Sequence, residues 1–129
     1  MTSDLERRAW RRAQDRCEYC RLPPEGSRLT FPIDHVTAKQ HGGRTEFDNL
    51  ALSCPHCNRY KGPNIAGLNP IDGSLTRLFN PRRDRWDDHF SWDGLALVGL
   101  TAVGRATVQV LAINAPVMIA IREELAEDG

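Results

Sequence analysis

Apolar residues recur at helical spacing at the start of the chain, where Leu5, Ala9 and Ala13 share one face with Trp10 beside them. Ser3, followed three positions later by Glu6, forms a capping box ahead of them. A helix is therefore expected over 4–15, with Arg7, Arg8, Arg11 and Arg12 on its other face. Leu22-Pro23-Pro24-Glu25-Gly26 reads as a turn. Residues 29–36 are β-branched and aromatic, hence strand-like, with Pro32 implying an edge position or a bulge. After a polar, glycine-containing loop over 39–44, Leu50-Ala51-Leu52-Ser53 supplies a second strand. Pro55 suits the first residue of a helix running to Lys61, which Gly62-Pro63 ends.

Residues 63–73 are rich in proline, glycine and asparagine and read as an ordered connecting loop. Further on, residues 89–92 and 95–98 flank Asp93-Gly94, a two-residue hairpin signal. Thr101 can cap a helix over about 102–113, whose apolar face is Val103, Ala106, Val110 and Ile113. Asn114 and Pro116 restart a last helix, with Val117, Ile121 and Leu125 inward and Arg122, Glu123, Glu124 and Glu127 outward. The pattern is of the α+β class: an N-terminal helix, a strand–strand–helix core, and a C-terminal hairpin with two helices.

At 129 residues and 40% hydrophobic content the chain fits one domain over 1–129. It holds no run of the roughly 20 apolar residues that a membrane span needs, and its start lacks a signal-peptide apolar region, so a soluble, cytoplasmic protein is expected. The net charge is zero, which excludes the strongly basic balance of a tight nucleic-acid binder. The distribution is uneven: residues 1–85 carry fifteen Lys and Arg against ten Asp and Glu, and residues 86–129 carry two against seven. A phosphate-facing surface belongs to the first part.

The four cysteines form two pairs, Cys17-Glu18-Tyr19-Cys20 and Cys54-Pro55-His56-Cys57, with 33 residues between them. Two thiolate pairs at this short spacing suit tetrahedral Zn²⁺, each turn presenting both sulfurs to one ion. Four free buried thiols are the alternative, and His56 could replace a cysteine as ligand.

The same stretch places Asp34-His35, Asn49 and Asn58 on or beside the two strands and the helix. Phosphodiester hydrolysis needs water made nucleophilic, a cation for the charge gathering on phosphorus, and help for the departing oxygen. A histidine near neutral pKa can take the proton, while a carboxylate and an amide oxygen can bind a hard cation. Arg59 and Lys61 on the helix, then Arg82 and Arg83, are the candidate phosphate contacts.

The order Cys17-x-x-Cys20, Ile33-Asp34-His35-Val36, Gly42-Gly43, Asp48-Asn49-Leu50-Ala51-Leu52 and Cys54-x-x-Cys57-Asn58-Arg59-x-Lys61-Gly62 resembles the HNH endonuclease motif in its cysteine-bearing form. The resemblance covers residues 17–62 and leaves 74–129 as a packing extension. It implies a ββα-metal fold stapled by zinc on Cys17, Cys20, Cys54 and Cys57, and a one-metal nuclease acting on DNA as a monomer or weak homodimer. Position by position it makes His35 the general base, and Asp34 and Asn58 ligands of a catalytic Mg²⁺ or Mn²⁺. Asn49 becomes the residue that holds the loop between the strands and orients the histidine. A zinc-dependent module that binds nucleic acid without cutting it is the rival reading, and Asp34, His35 and Asn58 separate the two, since a pure binder needs none of them.

Overall fold

The computed structural model describes residues 3–128. Helix α1 spans Asp4–Arg12, and the Ser3 hydroxyl accepts the Glu6 N–H at 3.1 Å as its cap. It ends three residues before the expected boundary because Gln14 and Asp15 take left-handed backbone angles, φ 54° and 61°, that turn the chain into the first cysteine pair.

Strands β1 (Ile33–His35) and β2 (Leu50–Leu52) pair antiparallel, with Asp34 opposite Ala51 and His35 opposite Leu50. The first strand is shorter than its composition suggests. Phe31 leaves the strand line to be buried beside Trp10, with the rings 5.8 Å apart, although the Ser53 N–H still donates to Pro32 O at 3.1 Å. Helix α2 (Pro55–Lys61) follows, with Pro55 at its first turn and Cys54 as its cap. These three elements are the expected strand–strand–helix core. The intervening chain carries one-turn 3₁₀ helices at Lys39–His41, where a plain loop is expected, and at Phe47–Asn49.

The connection after α2 differs from the expected loop. Ala66–Leu68 (β3) and Leu75–Arg77 (β4) form an antiparallel hairpin that packs against a later helix. A single turn, α3 (Trp86–His89), then leads into the hairpin of β5 (Phe90–Asp93) and β6 (Ala96–Gly99). Asp93 pairs with Ala96, so the two turn residues are Gly94 and Leu95, one step beyond the expected pair. Gly94 at φ +61° is the first central residue, as a type II′ turn requires. This register puts Phe90, Trp92 and Leu97 on one face, where Phe90 and Leu97 are buried and Trp92 is 44% exposed.

Helix α4 (Ala102–Val110) is capped by the Thr101 hydroxyl, which accepts the Gly104 N–H. Helix α5 (Pro116–Asp128) turns Ile121 and Leu125 against the core as expected, and differs at Val117 and Arg122. Met118 and Arg122 are buried and Val117 is exposed. Arg122 is drawn inward because its guanidinium donates to Leu95 O and Ile113 O while lying 5.3 Å from the Trp92 ring. One apolar cluster joins the cysteines, Tyr19 and Leu52 to Phe79, Phe90, Leu111 and Met118, so the core unit and the later elements share an interior. No helix among the described residues is long and apolar enough to cross a membrane.

Candidate active site and metal centre

The four cysteine sulfurs lie within 4.8 Å of one another, all buried. Cys20 Sγ and Cys54 Sγ are 3.7 Å apart. Four sulfurs placed tetrahedrally at a Zn–S distance of about 2.3 Å would stand about 3.8 Å apart, so the cluster fits this ion. The backbone N–H groups of Cys20 and Cys57 point at the sulfurs of Cys17 and Cys54, at 3.5 and 3.4 Å. Such bonds favour thiolates. His56 lies outside the cluster, its Nε2 being 2.8 Å from Ala112 O, where it ties α2 to the C-terminal part of the chain.

Both residues inside the first cysteine turn reach beyond it. The Tyr19 hydroxyl, fully buried, donates to Asp34 Oδ2 at 2.8 Å. Burial first, and then the charge of Asp34, holds that hydroxyl protonated well above its ordinary range, so it acts as a donor. Lys61 completes the group: its Nζ is 3.0 and 3.3 Å from the two oxygens of Asp34 and donates to His35 O at 3.1 Å. Burial pushes the Asp34 carboxyl up, opposed by the Lys61 charge and the Tyr19 bond.

Lys61 is thus no surface phosphate contact, being 1% exposed. It lies four residues beyond Cys57, on the helix face that holds this buried cysteine, and an ammonium there must find an anion. Lys61→Met should lower stability by about 3–5 kcal/mol, since it strands a buried carboxylate. Adding Asp34→Asn should restore most of the loss in a denaturant titration; a Lys61→Met protein as stable as the parent would refute the pairing.

His35 is half-buried, and its Nε2 lies 2.8 Å from Thr45 Oγ1, while Nδ1 has no partner among the described residues. Asn49 braces the loop that carries Thr45. Its Oδ1 accepts the Thr37 N–H at 2.9 Å, and its Nδ2 donates to Thr37 O and Arg44 O at 3.0 and 2.8 Å. Gly43 permits this closure, because a Cβ there would stand 1.7 Å from Thr37 O. Asn58 lies one turn before Lys61 on α2, and its amide makes no hydrogen bond among the described residues.

Arg59 is exposed on α2, and Arg83 is exposed as well. Arg82 points inward instead, its guanidinium in contact with the Glu18 carboxylate, which also accepts the Leu52 N–H at 2.9 Å. Arg82 is therefore a clamp between the later segment and the first cysteine turn, and a second clamp is the Trp86 indole, which donates to Tyr19 O at 2.9 Å. Burial pushes Glu18 up to about 7 against the pull of the Leu52 N–H and the Arg12 charge, and the Arg82 guanidinium touches the same carboxylate. The folded carboxyl thus titrates above its unfolded value in the parent, and loss of the adjacent guanidinium in Arg82→Gln should push it higher still. The protonated form's stabilising contribution is present at low pH and is lost as pH rises through the folded pKa, about 7 in the parent and higher in the variant, so the variant loses more stability above that pH. The melting-temperature gap between Arg82→Gln and the parent should widen from pH 5.5 to 8.5; a constant gap would count against the clamp.

Two short antiparallel strands, a helix and a four-cysteine cluster define the class of ββα units with a cysteine cluster suited to zinc. The model of the protein family described as HNH endonuclease matches residues 17–64, from the first cysteine turn to just past α2. That stretch is similar to HNH endonuclease domains. No curated protein and no solved structure matches the chain.

Proposed function

We propose that the protein is a metal-dependent endonuclease that hydrolyses phosphodiester bonds in DNA. The observation that carries this reading is the imidazole of His35, tied to Thr45 through one nitrogen and unpartnered at the other. In the tautomer that donates from Nε2 to Thr45, the Nδ1 lone pair is available to take a proton from water. Asn49 acts through the loop, fixing Arg44 and hence Thr45, so that the ring keeps its direction.

Asp34 and Asn58 are the residues suited to a catalytic Mg²⁺ or Mn²⁺. Both offer oxygen, and a carboxylate has about four acceptor positions, of which Tyr19 and Lys61 fill up to three. Such an ion supplies positive charge to the phosphate oxygens and the departing oxygen. Asn58 is an amide and transfers no proton. Zinc on Cys17, Cys20, Cys54 and Cys57 would have no open coordination position and would hold the fold only. Arg59 and Arg83 are the phosphate contacts in this reading; Lys61 and Arg82 support the site from within.

Supercoiled plasmid incubated with the protein, with and without added Mg²⁺ or Mn²⁺, tests the proposal. Nicked or linear product only with the added ion is the expected result. Plasmid bound but uncut under every condition would leave a zinc-dependent binding module as the function.

A further inference from the structure

The asparagine side chains fall into two groups. Asn49, Asn69 and Asn114 are committed to bracing backbone: Asn69 Oδ1 accepts from Ile71 N–H, and Asn114 bonds both polar groups of Leu97. Asn58 and Asn64 make no hydrogen bond among the described residues, and Asn80 uses only its oxygen, accepting the Arg82 N–H. The Arg83 guanidinium is likewise without a protein partner among them.

Asn64, Asn80 and Arg83 all line one cavity of about 310 Å³, whose floor is Val36, Leu78 and Phe79. Asp34, His35 and Asn58 do not line this cavity, but it borders the chain that carries them. Val36 and Thr37 follow His35 in the chain, and Lys61, which holds Asp34, also lines it. Its opposite wall comes from the segment after β4, so it exists only where the HNH unit meets the later part of the chain. An apolar floor, amide groups at the rim and a free guanidinium suit a nucleobase with its phosphate, since a base presents a flat apolar face and a hydrogen-bonding edge. A volume near the lower end for ligand sites has room for a base.

We infer that this cavity receives a nucleotide unstacked next to the scissile phosphate, so that the favoured substrate is single-stranded DNA or a duplex with an extrahelical base. The inference rests on the nuclease reading and narrows its substrate. A base held inside a duplex cannot enter without leaving the stack, whereas one already extrahelical enters at little cost.

Binding tests this apart from cleavage. The full-length His35→Ala protein would be titrated with a short duplex carrying one extrahelical nucleotide, and with the same duplex made abasic at that nucleotide. The base-bearing duplex should bind at least about tenfold more tightly, within the range of one base contact. Ile65, 47% exposed at the rim, offers a filling variant, and Ile65→Trp should bring the two affinities together. Equal affinities before filling, or a preference that survives it, would overturn the inference. Plasmid cleavage by the parent protein without a base preference would refute the pocket and keep the nuclease; a base preference without cleavage would do the reverse.

Discussion

Cys57→Ser is expected to unfold the protein outright. Cys57 is fully buried and supplies one of four sulfurs that together join the first turn, β2 and α2. A serine hydroxyl is a poor substitute for a thiolate, and the apparent worth of a structural zinc, about 10–16 kcal/mol in small zinc domains, is as large as the whole stability of a typical domain. Of these elements α2 carries Asn58, and β2 pairs with β1, which carries Asp34 and His35, so removal of the ion by a chelator should remove structure and any activity together. Far-ultraviolet circular dichroism with measurement of bound zinc checks this. A zinc-free Cys57→Ser protein with the parent's spectrum and melting temperature would show that the cluster is not the staple.

His35→Ala should behave in the opposite way, keeping the fold while losing cleavage. The imidazole is half-buried and makes one side-chain hydrogen bond, to Thr45, so its removal costs little packing. A general base contributes about 10²–10⁴-fold to rate, and that is the expected fall in plasmid cleavage at saturating Mg²⁺. Zinc content and melting temperature should stay near those of the parent. Thr45→Val should reduce cleavage less, because the ring loses its tether and keeps its nitrogen. A cleavage rate unaltered by His35→Ala would remove this residue from the chemistry.

The strand–strand–helix core was legible because its signals are local and independent: cysteine spacing, Pro55 at a helix start, Gly62-Pro63 at its end. The β3–β4 hairpin was hidden, since proline, glycine and asparagine over 63–73 look alike in a loop and in a hairpin whose strands hold three residues each. On α5 Met118 turned inward in place of Val117, the two being equally apolar, and the burial of Arg122 depends on carbonyls distant in sequence. Lys61 was readable in part: four residues after a buried ligand, it had to share that ligand's side of the helix. Glu18 and Tyr19 gave no such sign. They stand between two metal ligands, and their partners Leu52, Arg82 and Asp34 are identified only by the folded chain.

Glu18 has one more consequence, shared with Arg12. Strand β2 pairs with β1 along one edge. On the other, Leu52 exchanges hydrogen bonds with the backbone N–H and the side chain of Glu18, and Leu50 O accepts from Arg12 at 2.6 Å. Bare strand borders invite a foreign strand to join, which is how β proteins aggregate or swap segments. Here that border is already taken by an acid and a guanidinium, so two copies meeting in solution could not fuse their sheets along it without first evicting both.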